Sequence, residues 1–193
     1  MEKLRIMSFD LDSFSLVKSK EERSKRVIDY IKNIDIDFAL LQGNKHLLYN
    51  VLCNSEDYLV EYFYKNNMFL KHARTEYIDD YMGENTGVYV SRIDNQDIAL
   101  YNVKKYRKES LWEFRNMLKE FENVEHKVVA GTLPSVNIES FCNKYNLDNV
   151  CSGPRSNHIL VSKGLDTRVV DGPIMPSVEG QPMVVDITYK KVR

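Results

Sequence analysis

The sequence lacks most features that would assign a protein to a class at first sight. No apolar run approaches the roughly 20 residues needed to span a bilayer, so no membrane partner is expected. The opening MEKLRIMSF turns polar at Asp10, so a signal-peptide core is not expected either. Only three cysteines occur, Cys53, Cys142 and Cys151, and none forms a CxxC pair. That spacing predicts buried thiols in a reducing compartment rather than a thiolate metal site or a redox motif. The four histidines are scattered without HxxxH spacing, which argues against a zinc centre. Neither sign of charge dominates: 27 Lys and Arg face 28 Asp and Glu, for a net charge of −1. A dedicated nucleic-acid binder usually carries a basic excess, so only a local basic patch remains open. Repeats, low-complexity tracts and linkers are missing too, and residues 1–193 read as one domain.

What is present is a patterned globular sequence. Lys, Asn, Ile and Tyr are abundant, as in translation from an AT-rich genome, which suggests a low-GC bacterium, a phage or another virus. The expected location is the cytoplasm, or the host cytoplasm for a viral protein. Leu4–Phe9 predicts a strand. Lys20–Asn33 predicts a helix, with Val27, Ile28, Ile31 and Ile34 on one face. Phe38–Gln42 suits a buried strand, and Asn44–Val51 a short helix. Tyr58–Tyr64 pairs with Met68–Arg74, and Gly87–Ile93 with Asp97–Val103, each across turn-forming residues. Ser110–Phe121 is the clearest helix, with Leu111, Phe114, Leu118 and Phe121 at helical spacing. A strand His126–Ala130, a helix Val136–Tyr145 and strands His158–Ser162, Arg168–Val170 and Met183–Tyr189 complete the chain. Hairpin-linked and crossover-linked strands together predict an α/β sandwich with mixed sheets.

Four segments, in order, resemble the signature blocks of the endonuclease/exonuclease/phosphatase superfamily. Ile6-Met-Ser-Phe-Asp-Leu-Asp-Ser-Phe resembles its opening strand, with Asp10 at an Asn position and Asp12 at a polar position that some members use for metal. Asp37-Phe-Ala-Leu-Leu-Gln-Gly resembles the strand ending in LQE. Lys127-Val-Val-Ala-Gly-Thr-Leu-Pro resembles the strand ending in GDxN. Arg155-Ser-Asn-His-Ile-Leu-Val-Ser resembles RIDYI, and Val178-Glu-Gly-Gln-Pro lies where SDHxP normally stands. The blocks span nearly the whole chain. The resemblance implies a DNase I-like fold: a four-layer α/β sandwich of two mixed, mainly antiparallel sheets with outer helices.

It also implies a reaction, metal-assisted phosphoester hydrolysis, and a set of groups to perform it. In the family the LQE Glu is the main magnesium ligand, the GDxN Asp serves the attacking water, its Asn binds phosphate, and the SDH His contacts the scissile phosphate. Here Gly43 replaces that Glu, Thr132 the Asp, Pro134 the Asn and Gly180 the His, with Glu179 at the preceding Asp position and Asn157 at the Asp of RIDY. Glycine and proline offer no side-chain ligand, donor or base. The losses point to a catalytically inactive, nuclease-like binding protein with no cofactor, acting through a protein partner.

The alternative is a metal-dependent phosphodiesterase with a rearranged site, in which Asp10, Asp12, Asp94, Asn102 and Glu179 supply ligands to magnesium. Asp10, Asp12 and Glu179 could form a residual metal site. The blander reading, which we favour, has Asp10 accepting backbone hydrogen bonds at a strand end and Asp12 capping a turn. Asn102 could contact phosphate or simply end a strand. His158 matches an aromatic packing position of the family more than a catalytic one. Lys104, Lys105, Arg107 and Lys108, interleaved with Tyr101, Tyr106 and Trp112, suit nucleic-acid or phosphate contact, against a solvated loop and helix start. Tyr58, Tyr62, Phe63, Tyr64, Phe69, Tyr77 and Tyr81 form an aromatic-rich segment whose exposed part would suit a protein interface.

Overall fold

The computed structural model describes residues 2–13, 19–43, 58–63, 67–72, 76–83, 86–93, 95–104, 108–133, 137–175 and 180–189. Two six-stranded sheets pack face to face. The first runs β11-β12-β1-β2-β4-β3, from β1 (Glu2–Asp10), β2 (Phe38–Gln42), β3 (Tyr58–Phe63), β4 (Asn67–His72), β11 (Asp166–Val169) and β12 (Met183–Tyr189). The second runs β5-β6-β7-β8-β10-β9, from β5 (Glu76–Met82), β6 (Thr86–Ile93), β7 (Gln96–Lys104), β8 (His126–Thr132), β9 (Leu147–Gly153) and β10 (Asn157–Ser162). One pair in each sheet is parallel, β1 with β2 and β7 with β8, and the other pairs are antiparallel. Each parallel pair needs a crossover, which α1 (Lys20–Asn33) and α2 (Lys108–Glu120) supply. A third helix, α3 (Ile138–Tyr145), precedes β9.

The helices form where their sequences allow it. Ser19 caps α1 by accepting the Glu22 amide at 3.3 Å, and the acidic first turn suits the helix N-terminus. Asn137 caps α3 through the Ser140 amide at 2.9 Å, and Asn146, at φ 55°, ends it in the left-handed region.

Strand alternation sorts the apolar residues into three layers. Met7, Phe9, Ala39 and Leu41 face outward from the first sheet onto Val27, Tyr30 and Ile31 of α1. Ala99, Tyr101, Val103 and Val129 face outward from the second onto Phe114, Met117 and Leu118 of α2 and Phe141 of α3. Between the sheets lie Leu4, Ile6, Phe38, Leu40, Ile98, Leu100, Val128 and Ala130. This is the expected four-layer sandwich with outer helices.

Several boundaries differ from the sequence reading. β5 and β9 are strands the reading passed over. β9 alternates weakly, with exposed Asp148, Asn149 and Ser152, because it is a sheet edge with one solvated face. β7 runs one residue past the expected Val103, to Lys104, so Asn102 lies within the strand rather than ending it. The short helix expected over Asn44–Val51 falls outside the described residues. No helix among the described residues is long and apolar enough to cross a membrane.

Candidate functional site

At one end of the sandwich the inward-facing positions turn from apolar to polar, strand by strand. On β1 the series runs Leu4, Ile6, Ser8, Asp10; on β2, Phe38, Leu40, Gln42; on β7, Ile98, Leu100, Asn102, Lys104; on β8, Val128, Ala130, Thr132. On β10, which runs antiparallel to β8, Val161 and Ile159 lead to Asn157. Pairing sets the ends in line. Asp10 lies opposite Gln42, Lys104 opposite Thr132, and Thr132 opposite Asn157.

Two polar arrangements fill this end. The inner one clasps the sheets together. Gln42 Nε2 donates to Leu40 O at 2.8 Å and to Asn102 Oδ1 at 2.9 Å, while Asn102 Nδ2 donates to Leu41 O at 2.9 Å. Ser8 Oγ donates to Asn157 Oδ1 at 3.3 Å. Ser8, Gln42 and Asn102 have no exposed surface, so these bonds replace water that cannot reach them. Asn102 is therefore an internal clasp, not a surface phosphate contact.

The outer arrangement is ionic. Lys104 Nζ donates to Asp10 Oδ1 at 3.1 Å and also to Asp12 Oδ2. Lys104 is 4% exposed despite its charge. It is thus withdrawn from the basic run in which the sequence placed it, because strand alternation turns it inward. Lys105 and Arg107 lie outside the described residues, and of Lys108 only the backbone, at the start of α2, is described. Asp10 Oδ1 also accepts the Asp12 amide at 3.0 Å, which agrees with its reading as a backbone acceptor at a strand end.

Gly43 sits against this ion pair at φ +109°, a conformation that disfavours any side chain. A Cβ there would lie 3.0 Å from Lys104 Nζ and 3.1 Å from Asp12 Oδ1. Asp10, Asn157 and Gly180 line one recess of about 20 Å³, room for roughly one water. Thr132 Oγ1 and Gln42 Oε1 make no hydrogen bond among the described residues. Of the sequence candidates, Asp10, Asp12, Gly43, Lys104, Thr132, Asn157 and Gly180 gather at this end. Pro134, Glu179 and Asp94 lie outside the described residues. His158 points to the other face of the second sheet, where Ser152 Oγ lies 3.1 Å from its Nδ1, and burial lowers its pKa.

A hard divalent cation such as magnesium takes about six oxygen ligands. Among the described residues the carboxylates at this end are Asp10 and Asp12, and both are already bound by an ammonium. No group of three or more His, Cys, Asp and Glu among the described residues could hold a metal. The described residues do not fit that ion. The sequence reading missed the role of Lys104. The signal was available in Ile98, Leu100, Asn102 and Lys104, whose period of two assigns Lys104 to the face of its apolar neighbours.

No family model matches the chain, and no curated protein does. Solved structures do. Humanized D. rerio TDP2 superposes with a TM-score of 0.71 at 14% identity, covering 97% of this chain and 99% of that one. The human Nocturnin catalytic domain, with bound sulfate, gives a TM-score of 0.73 at 14% identity over 97% of this chain and 94% of that one. An endonuclease/exonuclease/phosphatase family protein from Bacteroides thetaiotaomicron gives 0.71 at 11% identity over 98% of each chain. At such identities the likeness shows the fold, and that fold is DNase I-like.

Proposed function

We propose that this chain is a degenerate member of the endonuclease/exonuclease/phosphatase superfamily that binds a protein partner and does not hydrolyse phosphoesters. The observation that carries the reading is the ion pair at the polar end: the cation there is a buried lysine held by Asp10 and Asp12. Hydrolysis in this fold needs an anchored metal, an activated water and donors for the phosphate. Gly43 supplies no ligand. Thr132 does not ionise near neutral pH. Gly180 offers no side-chain donor. Cooperating catalytic groups fail together, so losing several of them removes the reaction rather than slowing it by steps.

Charge favours a protein over a nucleic acid. Lys104 cannot reach a phosphate from its buried position, and the half-exposed neighbour it holds, Asp12, is acidic. Exposed aromatic surface lies elsewhere: Tyr77 and Tyr81 on β5 are 49% and 44% exposed, and Trp112 on α2 is 71% exposed. Tyrosine and tryptophan are the side chains most often central to protein interfaces.

The test is turnover of DNA, RNA and phosphomonoesters with magnesium and with manganese, using Asp10→Ala/Glu179→Ala as control. No turnover above a blank is expected. Turnover by the native protein that the control lacks would establish the alternative, a metal-dependent phosphodiesterase with a rearranged site.

A further inference from the structure

We propose that the Lys104 ammonium is a resident replacement for a divalent cation, beside a Gly43 whose backbone conformation disfavours any side-chain ligand. This goes beyond the binding reading and stands whether or not a protein partner exists. Three observations carry it. First, the ammonium bridges two carboxylates from one short segment, Asp10 at the end of β1 and Asp12 in the 3-10 turn that follows. Bridging carboxylates is what a hard cation does when it anchors such a site. Lysine does it as a point charge with three donors, carried on its own strand.

Second, Lys104 crosses from the second sheet to the first to make these contacts, at 4% exposure. Burying an ammonium is costly unless it is paired and hydrogen-bonded. A surface lysine has no reason to accept that cost, whereas one that neutralises an inward-facing Asp10 does.

Third, the backbone at Gly43 is committed to glycine. Its φ of +109° strains any L side chain, and a Cβ would press on both Lys104 Nζ, at 3.0 Å, and Asp12 Oδ1, at 3.1 Å. A side chain at residue 43 would have to take up a strained backbone and shift the ammonium and the Asp12 carboxylate slightly. Gly43 and Lys104 are thus matched: the backbone at residue 43 disfavours a side chain, and the ammonium stands in the space beside it. The result is a site whose positive charge is covalently attached, does not exchange with solvent and does not respond to chelators.

The test is metal response in the full chain. Thermal unfolding of the native protein, with chelator and with millimolar-range manganese, is expected to give one and the same Tm. Lys104→Met removes the charge but keeps much of the stem. It is expected to unfold several degrees lower in chelator and to regain most of that difference in manganese, because two uncompensated carboxylates are left to bind the ion. Asp10→Asn/Lys104→Met should lose the regain. Manganese binding is also read directly on the native protein from its electron paramagnetic resonance signal, which does not depend on any variant folding. Saturable manganese binding by the native chain that Asp10→Asn abolishes would overturn the proposal. So would a Lys104→Met protein, folded by circular dichroism, with a Tm indifferent to manganese. Phosphoester turnover does not enter this test, so a failure here is distinct from a failure of the binding reading.

Discussion

The two ends of the inter-sheet layer are held by different physics. At one end Leu4, Ile6, Phe38, Leu40, Ile98 and Leu100 bury apolar surface, a non-directional attraction that tolerates small rearrangement. At the other, Ser8, Gln42, Asn102 and Asn157 exchange directional hydrogen bonds, and Asp10, Asp12 and Lys104 form ion pairs. The apolar end gains by excluding water. The polar end only recovers what desolvation removed, so it contributes little net stability while being expensive to disturb. A sheet pair that needed only to stay together would carry leucine throughout. Among the described residues the polar end is bound up in these hydrogen bonds and ion pairs, with Gln42 Oε1 and Thr132 Oγ1 left without a partner.

Substitutions at the two ends break this comparison in graded ways. The largest effect is expected from Lys104→Met, about 3–5 kcal/mol, since removing one member of a buried pair leaves Asp10 uncompensated. Asp10→Asn/Lys104→Met should cost clearly less than the sum of the two single changes, as urea unfolding of a double-mutant cycle would show. If the costs simply add, the pair is not coupled. At the apolar end Leu40→Ala should cost about 2–5 kcal/mol through lost burial and a cavity, with an unchanged response to manganese. Gln42→Ala is expected to cost about 1–3 kcal/mol by stripping Asn102 Oδ1 and Leu41–Asn102 geometry of their clasp. An Asn102→Ala/Gln42→Ala protein no less stable than either single variant would confirm the coupling.

A smaller, pH-dependent effect lies away from both ends. Arg5 Nε meets Asp186 Oδ1 at 2.6 Å across β1 and β12, and that hydrogen bond holds the Asp186 pKa below its ordinary value. The Arg5 guanidinium, its pKa raised by the same bond, stays charged throughout the accessible range. A carboxylate with a depressed folded pKa stabilises above its unfolded pKa, about 3.9, and loses that contribution as pH falls through the folded value. Native stability should therefore fall in acid by more than that of Asp186→Asn, with the two curves converging at low pH. The smallest effect is expected at Trp112, 71% exposed, where Ala should change stability by within about 0.5 kcal/mol. A larger loss would mean that the ring packs rather than waits at the surface.

Much of this was legible in the sequence because it depended on period and local chemistry. Helix α1 runs over the residues its apolar spacing indicated, and β12 over Met183–Tyr189 as read. The strand-end blocks placed Asp10, Gly43, Thr132 and Asn157 in positions that the sheet register then brought to one end. What escaped was context. Lys104 belongs both to a basic run among aromatics and to the period-two series Ile98, Leu100 and Asn102, and it is the second pattern, which turns it inward, that holds in the fold. β9 escaped because an edge strand with one wet face has half the pattern of a buried one.

The sequence by itself determined the layers, because alternation and helical spacing are properties of consecutive residues. It determined as well that Gly43, Pro134 and Gly180 carry no side-chain ligand, donor or base, since that holds for glycine and proline in any fold. Only the tertiary structure decided what stands beside Gly43. Lys104 and Asp10 stand 94 residues apart on different sheets. Their ion pair exists because two strand ends of opposite sheets face each other across a space that Gly43 leaves open, and no local pattern encodes a distance between sheets.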